Sequence, residues 1–112
     1  MTPIEFINGI RQAILERDLA YYQVTLENFE NAKDPLWNRM LNLFQGLSAE
    51  QKTTILDFVR LIQVNTISHF LGILDGSSFL DENRETLVLN TEENEEPING
   101  DLLDLFLEQE DG

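Results

Sequence analysis

One stretch limits the fold more than any other. Residues 48–76 read SAEQKTTILDFVRLIQVNTISHFLGILDG and predict a single long helix. Ser48 is a good N-cap, and Gln51 three residues on completes a capping box. Glu50 sits near the positive end of the helix dipole. Gly76 suits a left-handed C-terminal stop, and Ser77-Ser78 follow it. At about 1.5 Å per residue the helix is roughly 40 Å long. Stepping about 100° per residue places Ile55, Phe58, Val59, Ile62, Phe70 and Ile73 on one stripe, widened by Leu56, Ile67, Leu71 and Leu74. Asp57, Asn65, Ser68 and Gly72 lie opposite, with Leu61 among them. So wide an apolar sector calls for more than one packing neighbour. The expected fold is therefore mainly α, a small helical bundle in one domain over 1–112, wrapped around a central helix at about 48–75.

Three polar residues, Gln63, Thr66 and His69, form a slanting row inside or beside the stripe. One reading is the polar lining of a small ligand pocket, with His69 as acid, base or ligand. The other is a few core groups satisfied by local hydrogen bonds, the commoner fate of isolated polar side chains. No cofactor is implied. With one His and no Cys, and no carboxylates at metal spacing around His69, no metal site is expected there.

The rest of the chain supplies the wrapping. Thr2-Pro3-Ile4-Glu5 is a capping box with proline at the first helical position. Ile7, Ile10 and Ile14 share a face, and Leu15, Leu19, Tyr22, Leu26 and Phe29 share another about one residue out of step. Residues 3–31 therefore predict one long helix or two closely spaced ones. Asp34-Pro35 starts the next helix, with Leu36, Met40, Leu43, Phe44 and Leu47 as its expected buried side and Trp37 near its start, capping the core or anchoring a partner. Phe79 and Leu80 are expected to tuck under a polar loop. The β-branched centre of ETLVLNT (85–91) predicts a short strand, or a hairpin over about 85–98, paired with residues 96–98 or with a second copy. Leu102, Leu103, Leu105, Phe106 and Leu107 predict a short acidic C-terminal helix, started by Asn99 or Asp101. It is either a lid on the core or a segment that docks in a partner's groove.

Charge is the most uneven property. From Asp75 onward thirteen acids face Arg84 alone, which leaves −12; eight acids against six bases leave −2 for residues 1–74, and the two parts make the total of −14. Such a chain attracts a basic protein partner and repels nucleic acid and anionic membranes. No run is apolar enough for a membrane span, and no leader is apparent, so a cytoplasmic protein is expected. Glycine-rich phosphate loops and nucleophile elbows are absent. Read as a calcium loop from Asp75, the segment offers Phe79 and Leu80 at the fifth and sixth positions and Thr86 at the twelfth, so it fails. Asp81, Glu82 and Glu85 remain as a loose cluster. Asp75, poorly placed for its own helix dipole, is expected to accept from the Ser77 or Ser78 amide.

Three blocks, DPLW (34–37), ISHFLGILDGSS (67–78) and NGDLLDLFLE (99–108), resemble those of a family of small bacterial proteins with no assigned activity. The resemblance implies a bacterial cytoplasmic protein that folds as a self-contained domain, and it implies no catalytic residue. Small acidic proteins of this style include immunity and accessory proteins, an analogy of type rather than of motif. The expected function is a non-enzymatic protein-interaction domain, adaptor, inhibitor or immunity-like. It would use Glu92, Glu93, Glu95, Glu96, Asp101, Asp104 and Glu108 against a basic partner. The rivals are a ligand-binding domain or enzyme at Gln63, Thr66 and His69, and a homodimer paired through residues 85–91.

Overall fold

Local signals set where the helices begin and end. A computed structural model describes residues 1–27, 34–80, 82 and 84–111. Helix α1 (Pro3–Ile10) starts on the Thr2–Glu5 capping box, both reciprocal bonds being made. The Thr2 bonds hold the Glu5 carboxyl below the usual range. Helix α3 (Pro35–Gln45) starts where Asp34 accepts from the Leu36 and Trp37 amides. Helix α4 (Ala49–Asp75) starts on the Ser48–Gln51 capping box and stops at Gly76, whose φ of 86° only glycine adopts cheaply.

The out-of-step stripes of the N-terminal region have a physical cause. α1 runs without a break through a π-helical segment (Arg11–Glu16) into α2 (Arg17–Glu27). Arg17 N–H reaches back five residues to Gln12 O, the bond that inserts one residue into a turn. Ile7 and Leu15 are eight residues apart, about 2.2 α-turns, but close to two turns once the insertion is discounted. Both are buried in the same cluster. Residues 3–27 are thus one rod with a widened turn. Phe29 and the rest of the expected stretch to 31 lie outside the described residues.

Two cores sit at opposite ends of the rod. At one, Ile7, Leu15, Ile67, Leu71, Ile98, Leu102 and Phe106 close together from α1, α4, the 98 region and α5 (Leu102–Asp111). Phe106, Leu102 and Ile7 are fully buried, each contributing about 1.5–3 kcal/mol of hydrophobic free energy. At the other, Leu26 of α2 meets Leu41 and Phe44 of α3, with Trp37, Met40, Leu47 and Leu56 against them. Trp37 stacks on Tyr22 at 6.0 Å, so it caps this core. Leu41, missed by the sequence reading, is buried, while Leu36 and Leu43 are exposed.

Three further expectations are corrected. No strand forms among the described residues. Residues 85–91 have no regular secondary structure, and their partner is a side chain: Asn99 Oδ1 accepts from Leu89 N at 2.8 Å, and Asn99 Nδ2 donates to Leu87 O at 2.8 Å. Only Ile98 N to Leu89 O, 2.7 Å, is backbone to backbone. Pro97 has no N–H to extend a ladder. Phe79 and Leu80 are exposed rather than tucked under. Finally, the Ser77 and Ser78 amides donate to Gly72 O, at 2.9 and 3.1 Å, and Asp75 is used elsewhere. Its carboxylate accepts from Gly100 N at 2.7 Å and Leu103 N at 2.8 Å, so the end of α4 caps the start of α5.

The largest correction concerns α4. Its buried residues are Ile67, Leu71 and Gly72, from the flank and the supposedly polar side. The α1 rod takes one side. α5 takes the side of Ser68 and Gly72, where a β-carbon on Gly72 would lie 3.5 Å from Leu103 Cδ2 and 3.2 Å from Ser77 Oγ. The central stripe is left open: Phe58, Ile62 and Phe70 are 59, 49 and 60% exposed. The molecule is elongated, 50 × 32 × 27 Å, with a radius of gyration of 17.7 Å. A compact domain of this length has about 13 Å.

Candidate functional site

The acidic surface is built on short-range backbone constraints. Asn94 N donates to Thr91 O at 3.3 Å, closing a turn. Asn90 Nδ2 bonds Thr91 O and Asn94 O, and Asn94 Oδ1 accepts from Glu96 N, all at 3.1 Å. Asparagine suits this role because its short amide can bond its own backbone. The turn is fixed by asparagines, which leaves its glutamates unused. Glu92, Glu93, Glu95 and Glu96 are all exposed. Asp101, Asp104 and Glu108, along the start and outer side of α5, are exposed too. Asp101 and Asp104 sit at the positive end of the α5 dipole, which favours their charge.

The base of this surface is anchored by the only ion pairs among the described residues. Glu110 is shared between Arg11 and Arg60, the latter at 2.9 Å. Arg11 lies 4.3 Å over the Phe106 ring and also donates to Gln109 and to Phe106 O. The bond from Arg60 chiefly, then that from Arg11, holds the Glu110 carboxyl below its ordinary value against the opposing effect of burial. The same bond raises the Arg60 pKa. These two cations are thereby committed to Glu110. None of the seven exposed acids named above joins an ion pair among the described residues.

The Gln63–Thr66–His69 row is placed on α4 but does not converge. Gln63 is half-buried and lines an apolar groove of about 400 Å³ with Tyr22, Leu26, Leu36, Trp37, Met40, Val59 and Ile62. Its Oε1 is buried without a hydrogen-bond partner among the described residues. Thr66 is exposed and donates back to Ile62 O at 2.8 Å. Thr66 and His69 border a shallower groove with Ile62, Asn65, Phe70 and Ile73. His69 is exposed. The row therefore faces separate grooves rather than one pocket, and its members share no hydrogen bond.

Sequence reasoning missed two residues that hold this region together. Asn99 also donates to Leu74 O, so one amide ties α4, the 85–91 segment and the approach to α5. Asp75 supplies the α5 cap. The only local hint was Asp75 itself, a carboxylate at the wrong end of its own helix. No cluster of three or more His, Cys, Asp or Glu that could hold a metal ion occurs among the described residues. Asp81, of the loose 81–85 cluster, lies outside them. Among the described residues, no helix is long and apolar enough to cross a membrane. No family model, curated protein or solved structure matches this chain.

Proposed function

We propose that this chain is a non-enzymatic interaction domain, adaptor, inhibitor or immunity-like, that presents the carboxylates of residues 92–108 to a basic protein partner. The observation that carries the reading is the unneutralised charge. Glu92, Glu93, Glu95, Glu96, Asp101, Asp104 and Glu108 are exposed and unpaired among the described residues, on a turn and a helix fixed by other side chains. Preset like charges steer a cationic protein at long range and cost little reorganisation on contact. The same field disfavours nucleic acid and anionic membrane surfaces.

The test begins with capture from the host's lysate at low and high salt. Association of the captured partner is then timed with the native chain and with a Glu92→Gln, Glu93→Gln, Glu95→Gln, Glu96→Gln variant. The variant should associate about tenfold more slowly at low salt, with a flatter salt dependence. Equal rates for the two chains would refute the acidic face as the docking surface.

A second reading, a small-ligand domain on α4, is favoured by one feature: the Gln63 Oε1, unpartnered among the described residues, beside the aromatic groove of Tyr22 and Trp37. An apolar ligand with one hydrogen-bond donor fits that chemistry. NMR titration of the Trp37 indole, which lines the same groove as Gln63, with candidate ligands separates the readings. A ligand-dependent shift supports this one, and a silent ring returns weight to the acidic face.

A further inference from the structure

The open face of α4 is self-complementary. Counting outward from Val64 in both directions, Ile62 matches Thr66, Val59 matches His69, Phe58 matches Phe70 and Ile55 matches Ile73. At about 100° per residue all eight fall within one sector of roughly 120°. A two-fold axis through the middle of the helix exchanges the members of each pair, which is what an isologous contact requires. Phe58, Ile62, Thr66 and Phe70, four apart, also form the ridge used in the commonest class of helix crossings. The face lies beside half-buried Phe6 and Ile10 of α1 and Ile14 of the π-helical segment, and these join Thr66 and Phe70 in lining an apolar hollow of about 220 Å³.

We infer that a second copy of this chain covers this face, its α4 running antiparallel to the first across Ile62 and Thr66. Area supports this occupant. The chain exposes 8247 Å², whereas a compact monomer of 12.9 kDa exposes about 6,300 Å². The excess, roughly 1,900 Å², is more than the about 800 Å² that each partner gives up in a standard interface.

Charge selects the orientation. Most of the −14 follows Asp75 in the chain; Asp75 and Asp101 lie at one end of α4, where Asp75 caps α5, while α5 runs back along α4 until Glu110 meets Arg60. Parallel packing would set the two acidic ends side by side. Antiparallel packing about Val64 puts the two Asp75 ends up to roughly 33 Å apart, several times the Debye length of about 8–10 Å. Of the eight matched positions only His69 is ionisable, and it meets Val59, so the contact itself holds no like-charge pair. The dimer leaves the acidic turns free at its far ends and does not depend on the proposed basic partner. It also replaces strand pairing through 85–91, where Leu87 O, Leu89 N and Leu89 O are already engaged within the chain.

Sedimentation equilibrium on the full chain tests this. At about 100 µM the native chain should show twice its 12.9 kDa mass. Ile62→Glu and Phe70→Glu place a carboxylate where the monomer is already exposed. Their helicity by circular dichroism should be unchanged, while the dimer dissociation constant should rise at least about tenfold. Leu61→Gln, on the opposite side of α4, should leave it unchanged. Mixing Val59→Cys with His69→Cys chains should give a disulfide only between unlike chains. A native chain that stays monomeric, two glutamate variants that dimerise like the native chain, or Val59→Cys that cross-links to itself would each overturn the proposal.

Discussion

The two ends of α4 are built differently. At its C-terminal end α1 and α5 close over Ile67 and Leu71, and polar groups lock the closure: Asp75 caps α5 and Asn99 ties three segments, while near mid-helix Glu110 is clamped between Arg11 and Arg60. At its N-terminal end α2 and α3 bury Leu26, Leu41 and Phe44, joined by the Trp37–Tyr22 stack and by Lys52 over the Phe44 ring. One long helix thus serves two closures of different chemistry, one rich in polar ties and one described by apolar and aromatic packing. The difference teaches that burial and cross-linking by polar groups are separable. A helix of 27 residues keeps the two closures apart, so one is expected to open without the other.

The sharpest test of that contrast is truncation of a core side chain at each end. Phe106→Ala should cost about 3–5 kcal/mol of global stability in urea unfolding, because the site is closed on all sides. Leu41→Ala should cost about 2–3 kcal/mol, felt mainly as faster amide exchange in α2 and α3 while α1 and α5 stay protected. Exchange that rises equally everywhere would break the comparison. Next in size, Asn99→Ala strands Leu89 N and Leu87 O and should lower stability by about 2 kcal/mol. Its signature in hydrogen exchange would be release of residues 85–91 with α3 unaffected.

The smallest effect is the pH dependence of the Arg11–Glu110–Arg60 clamp. The Glu110 pKa lies below its ordinary 4.5. The clamp's contribution is therefore complete above that value and is lost as pH falls through the lowered one. Glu110→Gln should cost about 1–2 kcal/mol near pH 7, and the gap to the native chain should shrink on titration towards pH 3. A gap that is constant with pH would mean that the clamp acts by packing rather than by charge.

What the sequence made legible was local. The Thr2–Glu5 and Ser48–Gln51 boxes, the Asp34 cap and the Gly76 stop each involve residues within a few positions, and all are formed. The phase slip in the N-terminal stripe announced the inserted residue of the π segment. The face of α4 that is buried was not legible. Periodicity gives the width of an apolar sector, not how many neighbours the chain has to cover it. Asp75 and Asn99 were opaque for a related reason: their partners lie 10 to 28 residues away. The β propensity of 85–91 did not produce a strand, because Pro97 lacks an N–H and the Asn99 side chain takes the place of a ladder. Of the candidate sites, the exposure of the acidic residues was legible from composition. The split of Gln63, Thr66 and His69 between separate grooves depends on α2 and α3 and was not.

The Asp75 cap has a consequence for how this chain can change. Because the end of α4 fixes the start of α5 directly, the turn at 91–96 is relieved of positioning that helix. Lengthening such a turn adds only a slowly growing closure entropy, about 0.6 kcal/mol per doubling. The stretch that carries four of the exposed glutamates is therefore the stretch whose wording matters least to the fold. Variation there can rewrite the charge shown to a partner while the two helices it joins stay clasped.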